Sequence, residues 1–268
     1  MRDKGGDENY HLFAVNLDGT NEIDLTPFEE TRARVIDSLT RDPEHMLISH
    51  NQRDKKVFDA YRLNVKTGKS EMIVKNPGNI MGYVADHDGK LRIATTSDGV
   101  NNSLLYRETE DDEFKTVLTT NFRQSLSPLF FTYDNKHIYA SSNLERDKSA
   151  IVKFDPHEAK ELELIYEHPQ VDVSALLRSD KKKIIRGVAF TAAKRAYHFF
   201  DDDRREMQEF VESQLPGYQI SFVSFSLDET KYLVRTSGDK TRGAYYFCLL
   251  YTSPSPRDAT LSRMPSSA

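Results

Sequence analysis

The 268-residue sequence contains a single cysteine, Cys248, so it holds no internal disulfide framework. That absence suits the cytoplasm and large periplasmic domains alike. No apolar run approaches the roughly 20 residues that a membrane-spanning helix needs. Positive charge is not in excess either: 37 basic residues stand against 42 acidic ones, a net charge of −5. This balance favours neither nucleic acid nor an anionic membrane surface as a partner. The start, Met1-Arg2-Asp3-Lys4-Gly5-Gly6-Asp7, is polar and carries no signal peptide. Strand-like sequence begins at once with His11-Leu12-Phe13-Ala14-Val15, as if the chain were cut from the middle of a longer one. A Gly-x-Ser-x-Gly nucleophile elbow is also missing. The nearest approach, Gly68-Lys69-Ser70, lacks the second glycine and lies in a turn.

What the chain does have is a repeat. Acidic turns at Asp42, Asp88, Asp134, Asp180 and Asp228 are spaced by 46, 46, 46 and 48 residues. Each is followed by a short apolar run, such as Met46-Leu47-Ile48, Ile138-Tyr139-Ala140 or Tyr232-Leu233-Val234. A fixed period of this size means one supersecondary unit used repeatedly. Four short strands with their turns fill it, so the unit is a blade of a β-propeller. Residues 80–122 illustrate the scheme. Gly82–Ala85 reads as an inner strand, Asp86-His87-Asp88-Gly89 as a hairpin turn, and Leu91–Thr96, Ser103–Arg107 and Lys115–Leu118 as the remaining strands. Residues 126–168 and 35–75 follow suit, whereas residues 10–26 supply only the outer half of a blade.

The spacing predicts an all-β, incomplete propeller of about five to six four-stranded blades, with four complete or nearly complete and a partial one at each end. It also predicts one inserted helix over Asp202–Leu215. Asp201-Asp202-Asp203 would cap and polarise its start, although the run could also hold a cation. Met207, Phe210, Val211 and Leu215 share one face, and Pro216-Gly217 stops the helix. That face is expected to pack on the sheets rather than dock a partner.

Candidate chemistry is sparse, and the catalytic, cofactor and metal sets are expected to be empty. The eight histidines are His11, His45, His50, His87, His137, His157, His168 and His198. Three of them, His45, His87 and His137, fall in or beside equivalent turns, where exposed turn residues are expected and converging metal ligands are the alternative. Arg146, Lys148 and Arg195 could line a central channel and attract peptide carboxylates. The pairs Phe130-Phe131, Phe199-Phe200 and Tyr245-Tyr246 read as packing between blades.

The last stretch, residues 248–268, breaks the pattern. It is rich in Ser and Pro and has no strand period. Cys248 to Asp258 resembles the translation of a transposase-type sequencing adapter, and Ser262 to Ala268 that of the primer segment beyond it. Ala259-Thr260-Leu261 between them occupies nine nucleotides, room for an eight-base index plus one base. The expectation is therefore a partial propeller domain over 1–247 and a non-native tail over 248–268. Residues 252–268 are expected to be extended and poorly packed.

Several segments together resemble the propeller of the prolyl oligopeptidase family of serine peptidases, in particular its dipeptidyl-peptidase and acylaminoacyl-peptidase-like members. They are Asp3–Asn9 with Val15–Gly19, Leu25-Thr26-Pro27-Phe28, Val57–Asn64, Ser127–Phe131 and Ser141–Ile151. The resemblance covers residues 3–247. It implies an α/β-hydrolase domain C-terminal to the propeller, which carries the whole triad and lies outside this chain. It also implies a propeller that limits access to short peptides. The partners it implies are that C-terminal domain and peptide substrates. The alternative, from another functional class, is a TolB-like or WD-repeat-like propeller that serves as a protein-binding scaffold, since one fold hosts many functions.

Overall fold

A computed structural model describes residues 1–250 and 259–264. The chain divides into two compact units, Met1–Glu167 and His168–Ala268. Both are built from small antiparallel meander sheets of propeller-blade form, five in all, preceded by one two-stranded sheet.

In the first unit, β1 (Phe13–Ala14) and β2 (Ile23–Asp24) form the two-stranded sheet. The first blade is β3 (Ala33–Asp37), β4 (His45–Asp54), β5 (Val57–Asn64) and β6 (Ser70–Val74). The second is β7 (Ile80–Ala85), β8 (Leu91–Ser97), β9 (Asn102–Tyr106) and β10 (Lys115–Thr120). The third is β11 (Leu126–Phe131), β12 (Ile138–Ser142), β13 (Ala150–Asp155) and β14 (Lys160–Tyr166). In each blade the strands pair in chain order.

The short apolar runs after the acidic turns become middle strands buried on both faces. Side chains alternate across a strand, so Leu47 and Ile48 point to opposite sides of β4. Leu47 joins a cluster with Ile80, Leu91 and Ala94 of the second blade. Ile48 joins Tyr61 and Leu63 in a cluster with Leu12 and Leu25 of the N-terminal segment. The same arrangement recurs one blade on, where Ile93, Leu104 and Tyr106 pack with Phe131, Ile138, Val152 and Phe154. A middle strand is thus apolar on both sides because a neighbouring layer covers each side. Outer strands keep one face in solvent: Met72, Leu162 and Leu164 are all exposed.

The acidic corners close as side-chain-to-backbone turns. Asp42 Oδ1 accepts from the amides of Glu44 at 3.0 Å and His45 at 3.2 Å. Asp134 Oδ1 accepts from the Lys136 amide at 3.2 Å, and Asp228 Oδ1 from the Thr230 amide at 3.2 Å. In the second blade the turn-forming carboxylate is Asp86, not Asp88. Asp86 accepts from the amides of Asp88 and Lys90, each at 3.0 Å. The left-handed residue of that tight turn is Gly89, at φ 72°.

The second unit holds a three-stranded blade, β15 (Val173–Ser179), β16 (Ile184–Thr191) and β17 (Arg195–Phe199). The helix α1 (Asp202–Gln214) follows in the chain where the other blades have a fourth strand. Next come β18 (Gln219–Phe225), β19 (Lys231–Ser237), β20 (Tyr245–Leu250) and β21 (Ala259–Arg263). The helix lies where the periodicity placed it, one residue shorter, with Leu215 as its C-cap. It is the one α-helix among the described residues, and none there is long and apolar enough to cross a membrane. Met207 and Val211 are buried against Ile220, Tyr232, Val234 and Cys248, with Phe210 and Leu215 packed alongside.

Two expectations are corrected here. The Asp201 side chain does not cap the helix. It accepts instead from Arg186 Nε at 2.5 Å, a charge-assisted bond that outcompetes a neutral amide. Asp202 and Asp203 still occupy the first turn, where their charge favours the helix dipole. The tail also departs from expectation. Ala259–Arg263 pairs with β20 as a fourth strand, and Leu261 packs against the helix-side cluster. The physical reason is that an unpaired strand edge accepts almost any extended segment that reaches it. Residues 251–258 and 265–268, the rest of that expectation, lie outside the described residues. Cys248 itself is fully buried in β20.

The core clusters should respond to truncation in proportion to burial. Phe131→Ala empties a fully buried site between two blades and should cost about 3–5 kcal/mol in denaturant unfolding. Leu162→Ala, on an exposed outer strand, should cost less than about 1 kcal/mol.

Candidate functional site

Recurrent geometry at the blade corners gives the chain its most organised polar features. Arg62 of the first blade donates from Nη2 to Gly89 O at 3.0 Å and reaches both Glu110 oxygens at 3.3 Å. Glu110 also accepts from the Leu91 amide at 3.0 Å. One blade on, the His87 amide donates to Asn135 Oδ1 at 3.0 Å, Asn135 Nδ2 donates to Asp88 at 2.9 Å, and Arg92 Nη1 donates to Asn135 O at 2.8 Å. In the second unit, Glu229 accepts from Ser179 Oγ at 2.7 Å and from Arg186 Nη1 at 3.1 Å. Apart from Arg62–Gly89, 27 residues apart, and the Leu91–Glu110 bond within the second blade, these partners lie 43 to 50 residues apart, about one repeat. They are therefore equivalent corners of successive blades, tied one to the next.

Of the residues that the sequence singles out, His87 and Asp88 take part in these ties, and the others make local contacts. His87 donates its ring Nε2 proton to Phe131 O at 2.9 Å and stacks on Tyr133 with centroids 4.6 Å apart. His45 sits 3.0 Å from Asp42, and His137 lies 3.8 Å from Asp155. The three turn histidines thus serve three separate corners. Among the described residues no group of three or more His, Cys, Asp or Glu side chains could hold a metal ion. Arg146 is engaged by Glu161 through two contacts of 3.0 and 2.6 Å. This guanidinium, together with Ser142, holds the Glu161 carboxyl below its ordinary range against the opposing effect of burial. Lys148 pairs with the adjacent Asp147 at 3.1 Å. Arg195 is exposed, 5.7 Å from the Tyr197 ring. The structure therefore does not gather Arg146, Lys148 and Arg195 into one site. Of the aromatic pairs, Phe131 is fully buried and Phe130 leans on Tyr139, 5.4 Å between centroids.

Between the second and third blades of the first unit lie a larger and a smaller cleft. The larger, about 780 Å³, lies on the corner side and is walled by Arg92, Tyr106, Glu108, Lys115, His137 and Asp155. In its wall the Tyr106 hydroxyl donates to Glu108 and accepts from Arg92 Nη2 at 2.5 Å. Burial, reinforced by Glu108, pushes the Tyr106 hydroxyl up to about 12, so it stays protonated and acts as a hydrogen-bonding group rather than a nucleophile. The smaller cleft, about 440 Å³, is walled by the inner strands β7 and β11, with Met81, Tyr83, Ser127 and Pro128 among its walls. Its walls carry no ionisable acid or base other than Tyr83, whose hydroxyl is driven upward by burial. Neither cleft pairs an activated nucleophile with a base.

No family model matches the chain. Over 254 residues, 92% of its length, the sequence is 30% identical to dipeptidyl aminopeptidase BIII of Pseudoxanthomonas mexicana. The chain spans 36% of that relative. Among solved structures, it resembles a prolyl endopeptidase with a TM-score of 0.60 at 11% identity, covering 96% of this chain and 38% of the other. It also resembles TolB from Acinetobacter baumannii with a TM-score of 0.55 at 16% identity, covering 96% of this chain and 60% of TolB. The structural likenesses carry the fold alone. The resemblance to the propeller portion of prolyl-oligopeptidase-family peptidases, read from the sequence segments, stands on the peptidase relative and on the fold together.

One buried group should be visible in a pH titration of stability. His50 is fully buried, stacked on Tyr61 at 3.8 Å, and burial lowers its pKa from 6.5 to about 4 despite nearby Asp59. Between these two values the unfolded chain binds a proton that the folded chain does not. Stability should therefore rise as pH increases from about 4 to 6.5. Urea unfolding midpoints at pH 4.5 and 7 should differ in that sense, and His50→Phe should shrink the difference.

Proposed function

We propose that this chain is the non-catalytic propeller portion of a serine peptidase of the prolyl oligopeptidase family, related to the dipeptidyl aminopeptidases. The observation that carries the reading is the 30% identity to dipeptidyl aminopeptidase BIII over 92% of the chain. Because the chain spans only 36% of that relative, the catalytic machinery of the whole protein is assigned to a C-terminal α/β-hydrolase domain. The sequence supports this division, since it holds no nucleophile elbow. In the whole protein the propeller would be the partner of that domain and would restrict entry to short peptides. The hydrolase domain would cleave them through an acyl-enzyme, which requires a nucleophile, a base that orients it and an oxyanion site.

We further propose that residues 248–268 are not native. Cys248 to Asp258 and Ser262 to Ala268 follow the adapter pattern in one reading frame with the right separation. The pairing of β21 with β20 is then an accidental use of an open strand edge.

Both proposals are tested on the gene. An independently cloned copy should replace the tail with further blade sequence, followed by Gly-x-Ser-x-Gly, then Asp, then His. A stop codon or continuing blades without that element would favour a TolB-like binding scaffold. The same 21 residues in the second copy would end the adapter reading. The purified 268-residue chain should not turn over a chromogenic dipeptide substrate. Turnover abolished by a serine-directed inhibitor would contradict the division of labour.

A further inference from the structure

The second unit contains a cavity of about 350 Å³ between the β15–β17 blade and β18. Four arginines contribute to its walls, Arg178, Arg186, Arg195 and Arg204, and no Asp or Glu does. The rest of the wall is largely apolar and includes Leu176, Phe222 and Phe225.

Two of the four charges are already matched. Arg186 is spent on Asp201 at 2.5 Å and Glu229 at 3.1 Å, and Arg178 pairs with Asp180 at 3.2 Å. The other two are not balanced in this way. Arg195 is exposed, with its guanidinium 5.7 Å from the Tyr197 ring and its carbonyl accepting from Gln219 Nε2 at 3.5 Å. Arg204 is 4% exposed, in the first turn of α1, with its guanidinium 4.0 Å over the Phe222 ring. Its Nη2 donates to Gln208 Oε1 at 3.1 Å, a neutral acceptor, while Nη1 is buried without a hydrogen-bond partner among the described residues. Burial, aided by the nearby Arg186 charge, lowers the Arg204 pKa to about 10, so it remains a cation at neutral pH. Asp201 acts on Arg204 only at a distance, its carboxylate being bonded to Arg186. A buried cation with no carboxylate in hydrogen-bond contact is costly, and a buried charge is normally matched by an opposite one. A cavity of this size, mostly apolar with a few convergent polar groups, has the form of a small-molecule site.

We propose that this cavity binds a small organic anion. Its carboxylate would be held by Arg204 and Arg195, and its apolar body would lie against Leu176, Phe222 and Phe225. The site is independent of the peptidase reading and would persist if the chain proved to be a scaffold.

Calorimetric titration of the 268-residue chain at low salt tests it with three probes: phenylacetate, the neutral 2-phenylethanol, and inorganic phosphate. Phenylacetate should bind at millimolar concentration or below, with the alcohol and phosphate each at least about tenfold weaker. Arg204→Met and Arg195→Gln should each weaken phenylacetate about tenfold. Arg195 is exposed, so Arg195→Gln keeps the test decisive if Arg204→Met does not fold. The proposal is overturned if phenylacetate does not bind, if the alcohol or phosphate binds as well as phenylacetate, or if Arg195→Gln leaves its affinity unchanged.

Discussion

The structure depends on tying equivalent corners of successive blades to one another. A four-stranded meander of about 46 residues cannot bury both faces of its middle strands alone. It needs a neighbour on each side, and the neighbour must sit in register. The corner contacts supply that register. Arg62 reaches Glu110, Asn135 bridges to His87 and Asp88, and Glu229 takes Ser179 and Arg186. Several are charge-assisted and shielded from water, so they are stronger than exposed pairs. Between them the apolar clusters fill in, with Leu47 committed to one neighbouring layer and Ile48 to the other.

This constraint also explains why the chain looks chemically quiet. Histidines, arginines and carboxylates recur at the corners, a pattern that invites a reading as ligands or catalysts. Instead each is consumed by structure: Arg146 by Glu161, His87 by Phe131 O and the Tyr133 ring, Asp201 by Arg186. The clearest imbalance among the described residues is in the wall beneath α1, where Arg204 is buried with a neutral acceptor and two rings around it. In the proposed whole protein, chemistry would reside in another domain and the blades would contribute form and access.

Much of the fold was legible in the sequence. The period of the acidic turns located every blade, and the 3.6-residue periodicity of Met207, Phe210, Val211 and Leu215 located the helix. Other features left no local mark. Asp86 and Asp88 are both acidic in one tight turn, and the amides that choose Asp86 are set by backbone geometry. The Asp201 partner, Arg186, lies a strand away, so a capping role was the natural inference from the run of aspartates. Arg204 and Gln208 fall on the buried face of α1 with Met207 and Val211, but hydropathy assigns such residues to solvent. The pairing of β21 depends on an open strand edge, which polarity patterns do not display.

The central physical claim is that corner ties between blades, and not the apolar layers alone, hold neighbouring blades in register. A double-mutant cycle on Arg62→Met and Glu110→Gln, read by denaturant unfolding, tests it most directly. The side chains of this pair are about four-fifths buried, 23% and 18% exposed, and they bridge two blades. The account predicts a favourable coupling of about 0.5–3 kcal/mol, so the double variant should lose less than the two singles together. Strict additivity of the two single losses would contradict it and leave the apolar layers as the sole source of register.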